Sequence, residues 1–226
     1  MSIWVAAIGG LAVVMVAHGS AAQTNCDPPV IHHASTPEAI QSYFQQRGKT
    51  VLTFLGYSGA GYEDNAAMLA RATDILDSHD PRKTIVNIGA TIDGIGVVYQ
   101  LAKQKGFETT GIVSSQARVH KATIAPCAGT VFFVEDASWG GLLEDQKTLS
   151  PTSAVMVRVS DRIVAIGGGD VARDEFNAAA SLGKNPTFFP ADMNHEMARA
   201  SAAKKNKPEP KDFRGALGAA QADARK

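Results

Sequence analysis

The chain has 226 residues, of which 45% are hydrophobic and 19% charged, as in an ordinary globular protein of one domain with tails. Its 22 basic and 22 acidic residues give a formal net charge of zero. A dedicated nucleic-acid binder usually carries a basic surplus, so the charge argues against specific nucleic-acid binding while leaving room for a local basic patch.

Residues 1 to 22 have the pattern of a secretory signal peptide. Residues 3 to 16 are almost all apolar, and Ser20-Ala21-Ala22 supplies the small residues of a cleavage point. This stretch is short for a membrane span, which needs about 20 apolar residues. We therefore predict export to the periplasm or the medium. An uncleaved N-terminal anchor is the alternative, because no Lys or Arg precedes the apolar core.

Cys26 and Cys127 are the two cysteines of the chain. An exposed thiol does not stay reduced in an oxidising compartment, so an exported chain with an even cysteine count favours a disulfide. The bond would hold the start of the mature chain against the domain. The alternative is two unpaired thiols, with Cys127 buried and Cys26 in a mobile tail.

Helices and strands alternate after a short lead-in. For residues 23 to 49 we predict a polar segment followed by a helix. Thr36 caps this helix, which begins at Pro37 and ends at Gly48. Apolar, β-branched runs predict six strands, at 50–55, 84–88, 109–113, 131–134, 163–166 and 187–189. Further helices are expected at 66–78, 95–105 and 174–182.

This alternation predicts a single Rossmann-like, doubly wound α/β domain with a mainly parallel sheet over residues 50 to 192. The strands are continuously apolar, as in a sheet covered on both faces. Residues 193 to 226 are rich in Lys, Ala and Pro, and we predict a basic, disordered tail there. Weak contact of that tail with a membrane or an acidic polymer is the alternative to a solvated tail.

Glycines cluster where the predicted strands end. The carboxyl ends of parallel strands lie at one edge of the sheet, which is where ligands bind. Glycine lets an anion reach backbone N–H groups, and the following helix directs its positive end at the same anion. Tight turns are the alternative role for these glycines. The predicted ligand-binding residues are Gly56, Ser58, Gly59, Gly61, Gly89, Asp93, Gly94, Ser114, Trp139, Gly167, Gly168, Gly169, Asp170 and Arg173.

Glu175 is the candidate catalytic residue. A carboxylate near a helix start and beside glycines can bind a ribose hydroxyl or act in acid–base chemistry. The alternative is a favourable interaction with the helix dipole, which is the role predicted for Asp174.

Several other side chains are candidate ligand contacts. Ser58 can donate a hydrogen bond to a phosphate, and Trp139 can form a platform for a base or a sugar. Asp93 either contacts ligand or forms an Asx turn into the next glycine. Tyr57 and Tyr62 either stack on a base or pack in the core.

The sequence contains no recognisable metal or nucleophile motif. It has no HExxH, CxxC, GxSxG or GxxxxGK[ST] pattern, and its six histidines are isolated or adjacent. We therefore predict no metal and no cofactor, and a P-loop NTPase is excluded. A Ser-His-Asp triad formed by distant residues stays open.

Three segments together resemble the Lonely-guy and lysine-decarboxylase-like family. They are VLTFLGYSGAGYEDNAAMLARATDIL (51–76), IVNIGATIDGIGVVYQLAKQKGFETTGIV (85–113) and VSDRIVAIGGGDVARDEFNAAASLGKNPTFF (159–189). The resemblance covers about residues 50 to 190. It implies a Rossmann-like domain, a homodimer and a nucleotide-derived ligand. The hydrolases of the family cleave N-glycosidic bonds with an acidic residue that Glu175 matches here. The resemblance therefore also implies N-glycosidic hydrolysis with Glu175 as the acid.

Two departures from the family pattern bear on function. The Gly-Thr pair that helps to hold a phosphate in the family is Val171-Ala172 here. The position of the family's catalytic Arg, about 14 residues before the glycine pair, falls at Thr152. These departures favour a sensor or binding module for a nucleotide-type small molecule. The alternatives are an N-glycosidic hydrolase using Glu175 and, after it, a ligand-free protein-interaction scaffold.

Overall fold

The structure is a computed structural model that describes residues 26 to 224. The predicted signal peptide, residues 1 to 22, lies outside the described residues. Within the described range, no helix combines the length and the apolar character that crossing a bilayer requires.

Seven strands form one sheet in which every neighbouring pair is parallel. The order across the sheet is β1-β5-β4-β3-β2-β6-β7. This arrangement confirms the predicted Rossmann-like, doubly wound fold. The strands are β1 (Val30–His32), β2 (Thr50–Gly56), β3 (Thr84–Ile88), β4 (Glu108–Ser114), β5 (Thr130–Val134), β6 (Arg162–Ile166) and β7 (Thr187–Phe189).

Eight helices connect or follow these strands in the described part of the chain. A single 3₁₀ turn, Gly94–Val97, leads into the third of them. The helices are α1 (Pro37–Arg47), α2 (Asn65–Asp77), α3 (Val98–Gln104), α4 (Gln116–Val119), α5 (Pro151–Val159), α6 (Asp170–Ser181), α7 (His195–Lys204) and α8 (Gly215–Asp223).

The sheet is buried on both faces because successive strand residues point to opposite sides. Leu52 and Phe54 of β2 pack in the cluster that contains α2 and α3. Val51, from the same strand, packs with α1 and α5. Leu55 packs with α6 and α8.

The first helix has the ends that the sequence predicted. The Thr36 side chain accepts a hydrogen bond from the Ala39 N–H, and Pro37 opens the helix. Gly48 closes it with φ 58°, a left-handed conformation that suits glycine.

Several elements differ from the prediction, among them the short helix α4, which was not predicted. Strand β1 was predicted as lead-in, but it pairs with β5 as an edge strand. Helix α5 was missed because its β-branched residues have low helix propensity, whereas packing against α1 and α6 and the Ser150 cap stabilise it. Helix α6 begins at Asp170 rather than at Asp174, so Glu175 lies beyond its first turn.

The predicted disulfide is confirmed. Cys26 and Cys127 are bonded, with their Cα atoms 5.1 Å apart and a separation of 101 positions in the sequence. The bond joins the segment before β1 to the segment before β5, the two strands that pair at this edge of the sheet.

The prediction of a disordered tail from residue 193 onward is wrong for the described residues. Helices α7 and α8 form there, and Leu217 of α8 is fully buried. The Leu217 N–H donates to the Gly168 carbonyl over 3.1 Å, and Met193 N–H donates to Phe213 O over 2.8 Å. Composition concealed this docking because small residues, including Gly215 and Gly218, replace large apolar ones at the contact.

We expect Leu217→Ala to destabilise the protein by about 2–5 kcal/mol, because it leaves a cavity between α8 and α6. Urea unfolding of the variant and the wild type would measure the difference. Leu182→Ala is the matched control, since Leu182 is 67% exposed. Equal destabilisation by the two substitutions, or none by either, would show that α8 is not docked in solution.

Candidate functional site

A cavity of about 340 Å³ lies beyond the carboxyl ends of the central strands. One wall follows β2, β3 and β4 and contains Gly56, Ser58, Gly89 and Ser114. This is the edge where ligands bind in parallel sheets. Four of the residues predicted from separate glycine-rich or polar strand ends are therefore brought together.

The opposite wall comes from α5 and α6. Thr152 and Met156 of α5 face the cavity together with Val171, Ala172 and Glu175 of α6. The helices pack against each other, so side chains separated by more than 20 residues share one surface. Most of the lining is apolar, with a small number of polar groups, as in typical small-molecule sites.

Glu175 is the ionisable side chain of this wall, and it is 4% exposed. Its Oε1 accepts a hydrogen bond of 2.6 Å from the Ser153 hydroxyl. The pKa of Glu175 is raised to about 7, mainly by burial. The Ser153 hydrogen bond opposes this rise, and nearby Asp174 adds to it. A carboxyl group with this pKa can donate or accept a proton near neutral pH.

Asp136 fixes the start of α5 next to this site. It accepts hydrogen bonds from the Thr152 N–H (2.9 Å) and the Ser138 N–H (2.8 Å). Burial raises the pKa of Asp136, but its hydrogen bonds with Thr152 and Ser138 outweigh burial, so the pKa lies below its usual value. The Thr152 hydroxyl contributes to that lowering, yet its Oγ1 is buried without a hydrogen-bond partner of normal geometry.

Trp139 also lines the cavity, and its side chain is 53% exposed. Its ring centroid lies 5.4 Å from that of His120, with the rings tilted by 31°. The indole therefore combines a cavity-lining position with an accessible surface, as a stacking platform requires.

The two tyrosines after β2 belong to the core. The Tyr57 hydroxyl lies 2.9 Å from Ala191 O and 2.7 Å from Arg214 O, within hydrogen-bonding distance of both acceptors. The Tyr62 hydroxyl donates to Ile166 O over 2.8 Å. Both rings are almost fully buried, and neither lines the cavity.

The first two of the three glycines after β6 pack against other parts of the protein, namely Tyr57 and α6. A Cβ on Gly167 would lie 2.5 Å from the Tyr57 ring, and one on Gly168 would lie 2.6 Å from the Ala172 Cβ. Their φ values of 59° and 140° also disfavour a side chain. Gly169 caps α6. None of the three glycines lines the cavity.

The remaining predicted loop residues also lie outside the cavity lining. Gly94 packs so closely on the Tyr57 carbonyl that a Cβ would collide with it, and Gly61 faces the Met197 sulfur of α7. Gly59 has open space around it. Asp93 is exposed, and its side chain makes no capping hydrogen bond to the following turn.

Asp170 and Arg173 form an ion-pair network at the start of α6 rather than a part of the cavity wall. Arg173 bonds to Asp170 over 2.8 Å and to Asp174 over 2.8 and 2.9 Å. The hydrogen bond to Asp174 is the main cause of a raised Arg173 pKa. Asp174 also accepts from the Leu142 N–H, so it holds the loop after β5 against α6.

Sequence reasoning missed Ser153 and did not include Thr152 among the site residues. Their only signal was the Pro151-Thr152-Ser153 sequence, which is typical of a helix start. Among the described residues, no group of three or more His, Cys, Asp or Glu side chains is arranged to hold a metal ion.

Comparison with protein-family models finds no match, and comparison with curated proteins finds none either. Among solved structures, the structural-genomics target TM1055 is 21% identical, with a TM-score of 0.43, over 61% of this chain and 72% of that one. The Moco carrier protein from Chlamydomonas reinhardtii is 18% identical, with a TM-score of 0.45, over 79% of this chain and 99% of that one.

We expect the stability of the wild type relative to Glu175→Gln to fall as pH rises. The folded protein holds the Glu175 proton up to a pKa of about 7, against 4.5 for a free glutamate. The free energy by which protonated Glu175 stabilises the wild type is therefore fully present below pH 4.5 and is lost by about pH 7. The loss amounts to a figure on the order of 3 kcal/mol. Urea unfolding at several pH values would measure it.

Glu144→Gln is the control for this measurement, because it removes a carboxyl group from the exposed surface. Its pH profile should follow that of the wild type. Parallel profiles for the wild type and Glu175→Gln would contradict the raised pKa of Glu175.

Proposed function

We propose that this chain is a binding module for a small nucleotide-derived molecule, held in the cavity beyond β2, β3 and β4. The observation that carries the proposal is the single cavity wall formed by Gly56, Gly89 and Ser114, opposite the buried carboxyl group of Glu175. The volume of about 340 Å³ is within the range of small-molecule sites.

The chemistry of the wall suits a heteroaromatic ring attached to a sugar. Trp139 offers an aromatic face on which the ligand ring can stack. Apolar side chains such as Ile95 and Ile124 line the same cavity. Ser58 and Glu175 supply hydrogen-bonding groups. The family resemblance points to the same class of ligand.

Binding without turnover is favoured because none of the described residues places a cation beside Glu175 in the cavity wall. The position of the family's catalytic Arg is Thr152, and Arg173 is bound by two carboxylates. In N-glycosidic cleavage, charge develops on the sugar and on the departing base, and positioned charges supply much of the rate. A homodimer remains an expectation from the resemblance alone.

An N-glycosidic hydrolase is the second candidate. Its support is the pKa of Glu175, about 7, which allows the carboxyl group to protonate a departing base near neutral pH. Water would add to the anomeric carbon as the bond from that carbon to nitrogen breaks, the base would leave with the Glu175 proton, and the added water would return a proton to the Glu175 carboxylate.

Export is part of the proposal. The Cys26–Cys127 disulfide is compatible with an oxidising compartment. An exported protein would meet ligands outside the cytoplasm, in the periplasm or the medium, and an uncleaved anchor is the alternative.

A thermal-shift screen of the full chain would test the binding. Nucleosides, nucleotides, ADP-ribose and nucleotide sugars form the panel. A ligand at 100 times its Kd should add roughly 2.7 kcal/mol of stability, which raises the melting temperature by a few degrees. Trp139→Ala should weaken the shift at least several-fold, whereas Leu143→Ala, in the same loop but outside the cavity lining, should not. A panel without any shift would contradict the proposal.

The same ligands separate the two candidates. Each one that binds is incubated with the wild type and with Glu175→Gln, and free base is measured by chromatography. A binding module releases no base with either protein. Release by the wild type that Glu175→Gln abolishes would establish the hydrolase instead.

A further inference from the structure

The cavity has no cationic side chain in its wall. None of the described residues that line it is Lys, Arg or His. A phosphate carries one to two negative charges, and moving it out of water without a charged partner costs several kcal/mol. A site built for a phosphorylated ligand normally places Arg or Lys on the phosphate.

The start of α6 does not replace the missing cation. Its positive end is already faced by the Asp170 carboxylate in the first turn and by Asp174 beyond it. Arg173, the basic residue of that turn, donates to both carboxylates. Val171 occupies the cavity side of the turn, where the family pattern has glycine. A phosphate at this position would meet an aliphatic side chain and two acidic groups.

Glu175 also disfavours a phosphate. Its carboxyl group is buried in the wall, with Ser153 as its hydrogen-bond donor. When ionised it repels an anionic ligand, and when protonated it offers one neutral hydrogen bond, which a base or sugar can use equally well.

Two basic or partly basic residues lie at the rim. His120 and Lys121 precede Ala122 and Thr123, which line the cavity, and both are exposed. His120 packs against Trp139. Solvent screens charges in such positions, so their attraction for a phosphate is small.

We propose that the cavity selects uncharged ligands of the nucleoside or free-base type and discriminates against their 5′-phosphates. The proposal rests on the proposed function, and it identifies the ligand class. In this arrangement Trp139 stacks on the base. Ser58 and Glu175, polar residues of the two facing walls, then pair with its polar edge or with the sugar hydroxyls.

Paired titrations test the selectivity. Adenosine, guanosine and inosine, their 5′-monophosphates and the free bases are titrated into the full chain carrying Trp4→Phe. Trp139 is then the one tryptophan, and its fluorescence reports binding. We expect at least one nucleoside or base to bind, and its monophosphate to bind ten-fold or more weakly. A monophosphate that binds as tightly as its nucleoside, or more tightly, overturns the proposal while the proposed function stands. If no member of this panel binds, the selectivity proposal fails, and the wider thermal-shift panel decides whether the proposed function fails with it.

A second experiment adds a positive charge to the cavity wall by a substitution that does not alter the core. Val171 is 36% exposed, so Val171→Lys adds a cation at the cavity wall without burying it. The ratio of monophosphate to nucleoside affinity should rise about ten-fold. Leu182→Lys is the matched control, because it adds the same charge at the far end of α6, and the ratio should be unchanged. An equal change in both variants, or none in Val171→Lys, would show that the wall does not set the selectivity.

Discussion

The contacts of Tyr57 hold together the loops at the carboxyl edge of the sheet. Its hydroxyl bonds to carbonyls of Ala191 and Arg214, and its own carbonyl accepts from the Ile95 N–H over 2.7 Å. These bonds join the loop after β2 to the turn before α3, to the segment after β7 and to the start of α8. Burial raises the Tyr57 pKa to about 12, so the hydroxyl keeps its proton over the physiological range.

Tyr57 also explains the triple glycine. Its ring lies where a side chain on Gly167 would lie, and Gly215 approaches both that ring and the Gly168 carbonyl. Glycine is needed here because an aromatic ring and the last helix pack directly on the backbone. The carboxyl edge is thereby divided in two. One half is filled by the protein's own C-terminal segment, and the other half, after β2, β3 and β4, remains open as the cavity.

The sequence was sufficient for the fold because its strands are short, apolar and separated by helices. All six predicted strands are present, and the helix bounded by Pro37 and Gly48 has the expected ends. Local pattern could not reveal α5, whose β-branched residues resemble a strand, or the docking of α8 through small residues and Leu217. Both depend on contacts between residues distant in sequence.

The candidate site was predicted in part for the same reason. Gly56, Gly89 and Ser114 were found because strand ends in a parallel sheet share an edge, and that rule needs no side-chain detail. It could not tell which glycines line the cavity and which face Tyr57. Nor could it place Ser153 beside Glu175, since that pairing depends on how α5 packs on α6.

The raised pKa of Glu175 and the absence of a cation among the described residues of the cavity wall are physically connected. A guanidinium at position 152 would favour the carboxylate, lower the Glu175 pKa and create an ion pair able to attract a phosphate. Threonine leaves desolvation as the dominant influence, so the pKa rises to about 7 and the wall can become neutral. With threonine at this position, none of the described residues in the wall offers a cation to a phosphate, and a protonated Glu175 reduces the negative charge that an uncharged ring would meet. The raised pKa of Glu175 and the proposed preference for uncharged ligands would therefore have one origin, the side chain at position 152.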